Sequence, residues 1–258
     1  MDSHAAARTA GTAKPRGLTN LRFKVIGLIL VALSCVGGLV FPQGLQGFSA
    51  DEVSMGDLTA AVLCEVFSWI AVPVYAWLLV EGYRHTRSVG RYLARLVVLA
   101  LVAEVPYDLA TSGQVVDFSS QNPVWALAVT LFVLWVIDAF VSRPRAQRVL
   151  VAVVVTLFAV LWMLLGRVGV RQQLVNEGVL ILALALIYRF MAARENTMMI
   201  TAAMLSACFG IFPALGVALV HYHNGLPGYD RETKPWTSWM FYVLYPVMLL
   251  VFGLAAVL

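Results

Sequence analysis

The sequence predicts an all-α fold, a polytopic bundle of about eight membrane-spanning helices with a cytoplasmic N-terminus. The first observation is composition: 61% of the 258 residues are hydrophobic, only 12% are charged, and the mean hydropathy is +0.84. Soluble domains average about 45–50% apolar and about 25% charged residues. A chain this apolar cannot cover a single water-soluble core with polar side chains, so we expect an integral membrane protein.

The second observation is the length of the apolar runs. A spanning helix needs about 20 apolar residues, with about 17–25 tolerated. Eight segments qualify within one transmembrane domain, residues 23–258, and the weakest patterns are the fifth and the sixth. The predicted spans are 23–41, 58–80, 92–110, 123–141, 149–165, about 174–190, 198–220 and 239–258.

The third observation is the asymmetry of basic residues between loops. With the N-terminus inside, fourteen of the eighteen Lys and Arg residues fall on the inner side, which is the distribution of cytoplasmic loops. Residues 1–22 are small, polar and basic, so we predict a disordered cytoplasmic tail. The chain is therefore expected in the cytoplasmic membrane. The basic face predicts contact with anionic lipids, or a site for an anionic cofactor, and no nucleic-acid partner.

The cysteines and paired histidines predict no metal site. Cys35, Cys64 and Cys208 all lie within apolar runs, and their odd number fits neither a disulfide framework nor a zinc site. His221 and His223 form an HxH pair in a turn-rich loop, but no third ligand converges on them.

Three acids fall inside predicted spans, where ionisable groups are costly and are candidates for function. Glu104 and Asp108 are four residues apart and share one helix face, with Pro106 between them. Glu65 in the second span is expected at similar depth. We therefore predict a polar cavity toward the outer leaflet. In the alternative interpretation, Asp108 is interfacial and a packing partner keeps Glu104 protonated.

The first span and the loop after the second span carry further candidate residues. Lys24 and Cys35 are eleven residues apart, almost three helical turns, and so share a face. The inner loop that begins with VEGYRHTRSVGRY is dense in basic side chains, and its candidates for binding an anion are Arg84, His85, Arg87 and Arg95.

The segment FSWIAVPVYAWLLVEGYRHTRSVGRYLARLVVLALVAEVPYDLA, residues 67–110, resembles the signature of the TraX family, the F-pilin acetylase-type integral membrane proteins. That signature runs from a proline-bearing span through VEG, an aromatic and HTR to an acid–x–Pro–aromatic–Asp close. Weaker matches follow in order along most of the chain. They are Asn122, the segment 176–180, Asn224 with Gly225 and Gly228, Phe241-Tyr242, and Tyr245-Pro246.

The resemblance implies acetyl transfer from acetyl-CoA, as co-substrate, to an envelope amine or hydroxyl acceptor. The family looks related to wider transmembrane acyltransferases, whose basic residue and later histidine correspond to Lys24 and Cys35. The chain departs from that pattern at four positions. Cys35 and Met248 replace histidines, Ser34 replaces an aspartate and Trp69 replaces an arginine.

Roles follow for eleven residues. The catalytic candidates are Lys24, Cys35, Glu104 and Asp108; the cofactor-binding candidates are Arg84, His85, Arg87 and Arg95; the substrate-binding candidates are Glu65, Asn122 and Tyr245.

The missing histidines leave three functions open. An active acyltransferase needs a base near pH 7, which imidazole supplies best. A catalytically degenerate member would instead bind lipids or a membrane protein partner. A proton-coupled transporter would use Glu65, Glu104 and Asp108 as a relay, but such transporters often show internal repeats, and the sequence shows none.

Overall fold

The computed structural model describes residues 17–40, 54–171, 175–229 and 236–257. These ranges form helices joined by short loops, with one antiparallel pair of two-residue strands, β1 (Val170–Arg171) and β2 (Val175–Asn176). The all-α prediction is confirmed over the described residues. The helices are α1 (Asn20–Val40), α2 (Met55–Ser68), α3 (Ala71–His85), α4 (Val89–Ser112), α5 (Val124–Ala139), α6 (Arg145–Leu165), α7 (Glu177–Phe190), α8 (Glu195–Phe209), α9 (Ile211–His221) and α10 (Thr237–Val257).

Four stretches are long and apolar enough to cross a membrane by length and composition: Asn20–Val40, Met55–His85, Arg145–Leu165 and Trp239–Val257. The second of these joins α2 and α3 through a tight turn at Trp69 and Ile70. Two shorter apolar helices are α5 and α9. Four of the eight predicted spans are therefore candidate spans in the structure.

The helices run between two ends of the molecule. We call the end that holds the start of α1, the end of α3 and the start of α4 the basic end, and the opposite one the far end. α1 is antiparallel to the α2–α3 pair, because Gly27 abuts Tyr75 while Gly37, further on, abuts Cys64. α10 also runs toward the far end, where Gly253 abuts the last turns of α4. The first and last helices therefore leave the two described chain ends on opposite sides.

The predicted seventh span, 198–220, is two short helices rather than one. α8 ends at Phe209, and Gly210 follows it with a φ of 143°. Glycine adopts such a positive φ readily because it has no Cβ. α9 then runs alongside α3 toward the basic end, since Gly216 abuts Ile70 and His223 lies 4.4 Å from the Trp77 ring. At 1.5 Å per residue, α8 and α9 are about 22 and 16 Å long, well below the roughly 30 Å hydrocarbon thickness.

This α8–α9 hairpin enters and leaves at the basic end. The close contact at Gly216 holds it in place: a Cβ there would lie 2.5 Å from the Ile70 carbonyl oxygen and 2.6 Å from Pro73 Cγ. A hydropathy window merges the two helices because both sides of Gly210 are apolar. The prediction of one span over residues 198–220 was therefore wrong in its path, although those residues cover most of the hairpin, which runs from 195 to 221.

The chain before α1 pairs with the loop after α9. The N–H of Leu18 donates to the Tyr222 carbonyl at 2.7 Å, and the Asn224 N–H returns a bond to the Leu18 carbonyl at 3.0 Å. The N–H of Asn20 donates to the Leu226 carbonyl at 2.9 Å. The bond from Asn20 gives a partner to an N–H group in the first turn of α1, where the helix itself supplies no acceptor. Residues 17–22 of the predicted tail are thus ordered, while residues 1–16 lie outside the described ranges.

A polar cluster ties α3, α5 and α7 together at the basic end. Asp138 accepts hydrogen bonds from the Tyr83 hydroxyl at 2.7 Å and from Arg189 Nη2 at 2.8 Å. Arg84 Nη2 donates to the Tyr188 carbonyl at 2.6 Å. Helices in lipid associate through packing and such interhelical bonds, so this cluster fixes the three helices at the same level.

The hairpin path can be tested by site-directed labelling. In a background without the native cysteines, a membrane-impermeant maleimide should label Arg87→Cys, Ala193→Cys and Leu226→Cys from one side and Gln114→Cys from the other. The reason is that both loops flanking the hairpin lie at the basic end. Eight straight spans would instead place position 226 on the side of position 114, and that pattern of labelling would overturn the hairpin.

Candidate functional site

A cavity of about 930 Å³ runs lengthwise inside the bundle, and we call it the main cavity. Side chains from α1, α3, α4, α5, α7 and α10 line it, together with Ser68 at the end of α2 and the loops after α3 and α9. Cavities of roughly 300–1,000 Å³ are typical of small-molecule sites. The main cavity is therefore the candidate functional site.

Basic side chains line the cavity at the basic end. The wall there contains Lys24, His85, Arg87, Arg91 and Arg95. Three of the four residues expected to bind an anion thus lie together, and Arg91 joins them. Guanidinium and ammonium groups are the common ligands of phosphate oxygens in proteins.

Two of these cations lie against aromatic rings of the same wall. The Arg95 guanidinium carbon is 4.5 Å from the Trp239 ring centroid. Lys24 Nζ is 5.5 Å from the Phe241 ring and 6.0 Å from the Tyr229 ring. Cation–π contacts of this kind position charged groups beside flat surfaces. We call this part of the main cavity, at the basic end, the mouth. It combines positive charge with aromatic faces.

His85 and Arg84 differ in position although they are neighbours in sequence. His85 Nδ1 lies 2.9 Å from the Glu81 carbonyl oxygen and 3.5 Å from its Oε1. A proton on Nδ1 donated to that carbonyl would leave Nε2 as an acceptor at the exposed edge of the ring. Arg84 is absent from the cavity wall and packs over Trp77, 5.9 Å from the ring. Arg84 therefore joins α3 to α7 instead of lining the cavity.

Cys35 lies in the cavity wall farther from the mouth. It is 7% exposed and packs with Ala103, Tyr107 and Leu249. Lys24 and Cys35 both line the main cavity, as their shared helix face predicts. Eleven residues separate them by about 16 Å along the axis. The Lys24 ammonium is thus too far away to contact the thiol.

Glu65 lies where α1 packs on α2. Ser34 Oγ donates to Glu65 Oε2 at 2.7 Å, and Trp69 Nε1 donates to Glu65 Oε1 at 3.2 Å. Ser34 and Trp69 are the positions at which the resemblance expects an aspartate and an arginine. Both replacements therefore converge on one buried carboxylate, which is 5% exposed and joins two helices behind the cavity wall.

The other end of the main cavity is polar. The Tyr245 hydroxyl donates to Asn122 Oδ1 at 2.9 Å, and the Tyr107 hydroxyl lies 3.1 Å from Ser120 Oγ. Glu177, 5% exposed, also lines the cavity, as do Tyr107 and Tyr245. Sequence reasoning missed Tyr107 and Glu177 as site residues. Both lie in segments that carry the family resemblance, and that resemblance could have identified them as candidates.

Glu104 and Asp108 face a separate pocket of about 230 Å³ at the far end, here called the second pocket. Glu104 accepts from Trp125 Nε1 at 2.9 Å and from the Asn122 N–H at 3.4 Å. The expected cavity shared with Glu65 does not form. The reason is rotation about α4: consecutive residues differ by about 100°, so Tyr107 faces the main cavity while its neighbour Asp108 faces the loop before α5.

That loop folds over Asp108. The Asp117 N–H donates to Asp108 Oδ2 at 3.0 Å. The Ser119 hydroxyl and N–H donate to the Asp117 carboxylate and hold its pKa below the ordinary value. Asp117 is therefore ionised at neutral pH and adds negative charge to the second pocket. Within the described residues, no group of three or more His, Cys, Asp or Glu side chains is arranged to hold a metal.

The Glu65 contacts predict a stability effect. Glu65→Ala strands two buried donors, on Ser34 and Trp69, each at a cost of about 1–3 kcal/mol, so it should lower the unfolding temperature in detergent. Glu65→Gln keeps one side-chain acceptor and should lower it less. Tryptophan fluorescence on heating measures both, with exposed Glu195→Ala as the control. Equal melting of Glu65→Ala and Glu195→Ala would remove the structural role.

Comparison with known families agrees with the sequence motifs. The family model described as TraX protein matches residues 22–256, which is nearly the whole chain. No curated protein and no solved structure gives a significant match. The matched region includes every helix described above except the first two residues of α1 and the last of α10. The chain therefore belongs to the TraX family.

Proposed function

We propose that this protein is a membrane acyltransferase that moves an acyl group, acetyl in the simplest case, from acyl-CoA to an amine or hydroxyl acceptor in the cell envelope. The observation that carries the proposal is the main cavity, which joins a cationic, aromatic mouth to a polar interior along one continuous wall. The excess of Lys and Arg at the basic end supports a cytoplasmic position for it, on the side where acyl-CoA is available. The protein is then a multi-pass protein of the cytoplasmic membrane.

The mouth fits the charged part of acyl-CoA. Lys24, Arg87, Arg91 and Arg95 supply cations for its phosphates, and Trp239 supplies an aromatic face for its base. Arginine binds phosphate through paired N–H groups, and aromatic rings stack on bases. The acyl chain would then extend toward Cys35, the one cysteine among the described residues of the wall.

Cys35 offers a covalent route. Its sulfur would attack the thioester carbonyl, the bond from the acyl carbon to the CoA sulfur would break, and the thiol proton would pass to CoA. Attack of an acceptor amine on the acyl–Cys35 thioester would then form an amide and restore the thiol. The acceptor would meet the acyl group beside Tyr107 and Tyr245, and buried Asn122 would hold the Tyr245 hydroxyl in place from behind the wall. Because the thiolate is the reactive form, the burial of Cys35, which is 7% exposed, makes the first step slow unless ligand binding changes its surroundings.

Purified protein incubated with labelled acetyl-CoA tests this route. The label should appear on Cys35 and should be lost in Cys35→Ala but kept in Cys208→Ala, whose cysteine is exposed on α8. Arg95→Gln should raise the KM for acetyl-CoA about tenfold, the effect of losing one charge-assisted hydrogen bond. Arg143→Gln, an exposed basic change outside the cavity wall, should not.

One result would overturn the enzymatic proposal: no label on Cys35 together with no turnover on envelope lipids or peptide amines. A label on another residue would identify that residue as the nucleophile. Turnover without a covalent intermediate would indicate direct transfer to the acceptor, and both results would keep acyl transfer as the function.

A second candidate is a catalytically degenerate member that acts as a lipid-binding or partner-binding membrane subunit. The Ser34–Glu65–Trp69 contact favours it, because neutral donors occupy the positions of the expected aspartate and arginine and use the carboxylate to join helices. Cys35 also stands where the resemblance expects a histidine.

Cys35→Ser at the native locus separates the two candidates. The degenerate member should keep its phenotype and its co-purifying partners in this variant, because shape is conserved. Loss of an envelope acyl modification, measured by mass spectrometry of lipids and surface proteins, would rule it out in favour of the enzyme.

A further inference from the structure

The second pocket is walled off from the main cavity and has no part in the acyl transfer proposed above. Asn122 separates the two: its N–H donates to Glu104 on one side, and its Oδ1 accepts from Tyr245 on the other. The second pocket can therefore bind a ligand of its own.

Asp108 lines this pocket and keeps one carboxylate oxygen without a partner. The residue is 3% exposed, and while its Oδ2 accepts from the Asp117 N–H, its buried Oδ1 has no hydrogen-bond partner. A buried carboxylate oxygen without a donor is costly. The geometry therefore offers a strong acceptor to a ligand that carries N–H groups.

The neighbouring charges favour a cation. Glu104 lies one turn before Asp108 on the same face, and ionised Asp117 closes the pocket from the loop. The donors to Glu104 and Asp108 are neutral N–H groups, and in the described part of the chain neither carboxylate forms a salt bridge with a Lys or Arg side chain. Arg167 is near enough to stabilise the charge of Asp117 but is not in the pocket wall.

The remaining walls select the kind of cation. Val115, Val116 and Phe118 are exposed on the loop, and the lining also includes Val105, Gln121 and Trp125. Apolar and aromatic walls suit an alkyl group, and the described acids do not form a metal-ligand set. At about 30 Å³ per water-sized group, 230 Å³ holds about seven such groups, enough for an aminoalkyl headgroup.

We propose that the second pocket binds a primary ammonium group, whose N–H donors reach Asp108 Oδ1 and the Glu104 carboxylate while its alkyl part packs on Phe118 and Trp125. Two sources share this chemistry, the headgroup of an aminophospholipid and a small soluble alkylamine. Both can reach a pocket at the far end that opens beside exposed apolar side chains.

The full-length protein in detergent distinguishes the sources without any substitution. Native mass spectrometry compares bound phosphatidylethanolamine with phosphatidylcholine, whose quaternary ammonium has no N–H donor. Thermal unfolding compares hexylamine with hexanol. Selective retention of phosphatidylethanolamine identifies a lipid site, and stabilisation by hexylamine without lipid selectivity identifies a soluble amine. Equal retention of both lipids with no response to hexylamine would overturn the proposal.

Variants then locate the site. Asp108→Asn and Glu104→Gln preserve shape and should each weaken binding of the selected ligand about tenfold, as expected for loss of a charged hydrogen-bond acceptor. Asp57→Asn is the matched control, because Asp57 is an exposed acid at the start of α2 at the same end. Undiminished binding in both pocket variants, or an equal loss in Asp57→Asn, would remove this pocket as the site.

Discussion

The close approach of neighbouring helices to α3 determines the rest of the structure. In lipid, burial of apolar surface does not drive helices together, so small residues and interhelical hydrogen bonds must. Gly27 of α1 meets the Tyr75 ring, and Gly216 of α9 meets the backbone and ring at Ile70 and Pro73. These contacts hold α1 against α3 at Tyr75 and the hairpin against α3 near its first turn. The width of the main cavity and the position of the hairpin follow from the same helix.

Local periodicity was enough to predict much of the fold and part of the site. Each predicted span overlaps a helix or a helix pair, and the eleven-residue spacing placed Lys24 and Cys35 on one face. The i, i+4 spacing likewise placed Glu104 and Asp108 in one pocket. Hydropathy could not show the hairpin, because the chain remains apolar across Gly210 and reverses through backbone geometry alone.

The features that the sequence did not predict depend on contacts between residues far apart in the chain. The neighbours of Glu65 and the loop that covers Asp108 depend on how helices rotate against one another. That rotation is set by packing between segments far apart in sequence, which no local pattern encodes. Tyr107 shows the difference: it is adjacent to Asp108 in sequence but belongs to another cavity. The two acids of α4 were therefore identified correctly as a pair and assigned to the wrong surroundings.

Two of the positions at which the resemblance expects another residue meet in the structure. Ser34, Trp69 and Glu65 meet at one contact, and Cys35 follows Ser34 directly into the cavity wall. A change at one of these positions alters what the others must satisfy, because a buried carboxylate needs donors of some kind. In this chain the neutral donors of Ser34 and Trp69 satisfy that carboxylate, and the nearby cavity has a cationic mouth.

The pairing between the start of α1 and the loop after α9 has a consequence for biosynthesis. Asn224 donates to the Gly17 carbonyl across 207 positions of sequence. During translation the first helix emerges long before its partner loop, so the mouth of the main cavity reaches its final form only when the last helix is being made. Loop-closure entropy grows by only about 0.6 kcal/mol per doubling of length, so the separation affects timing more than stability. A nascent chain arrested before residue 222 would carry most of the bundle with its mouth still open.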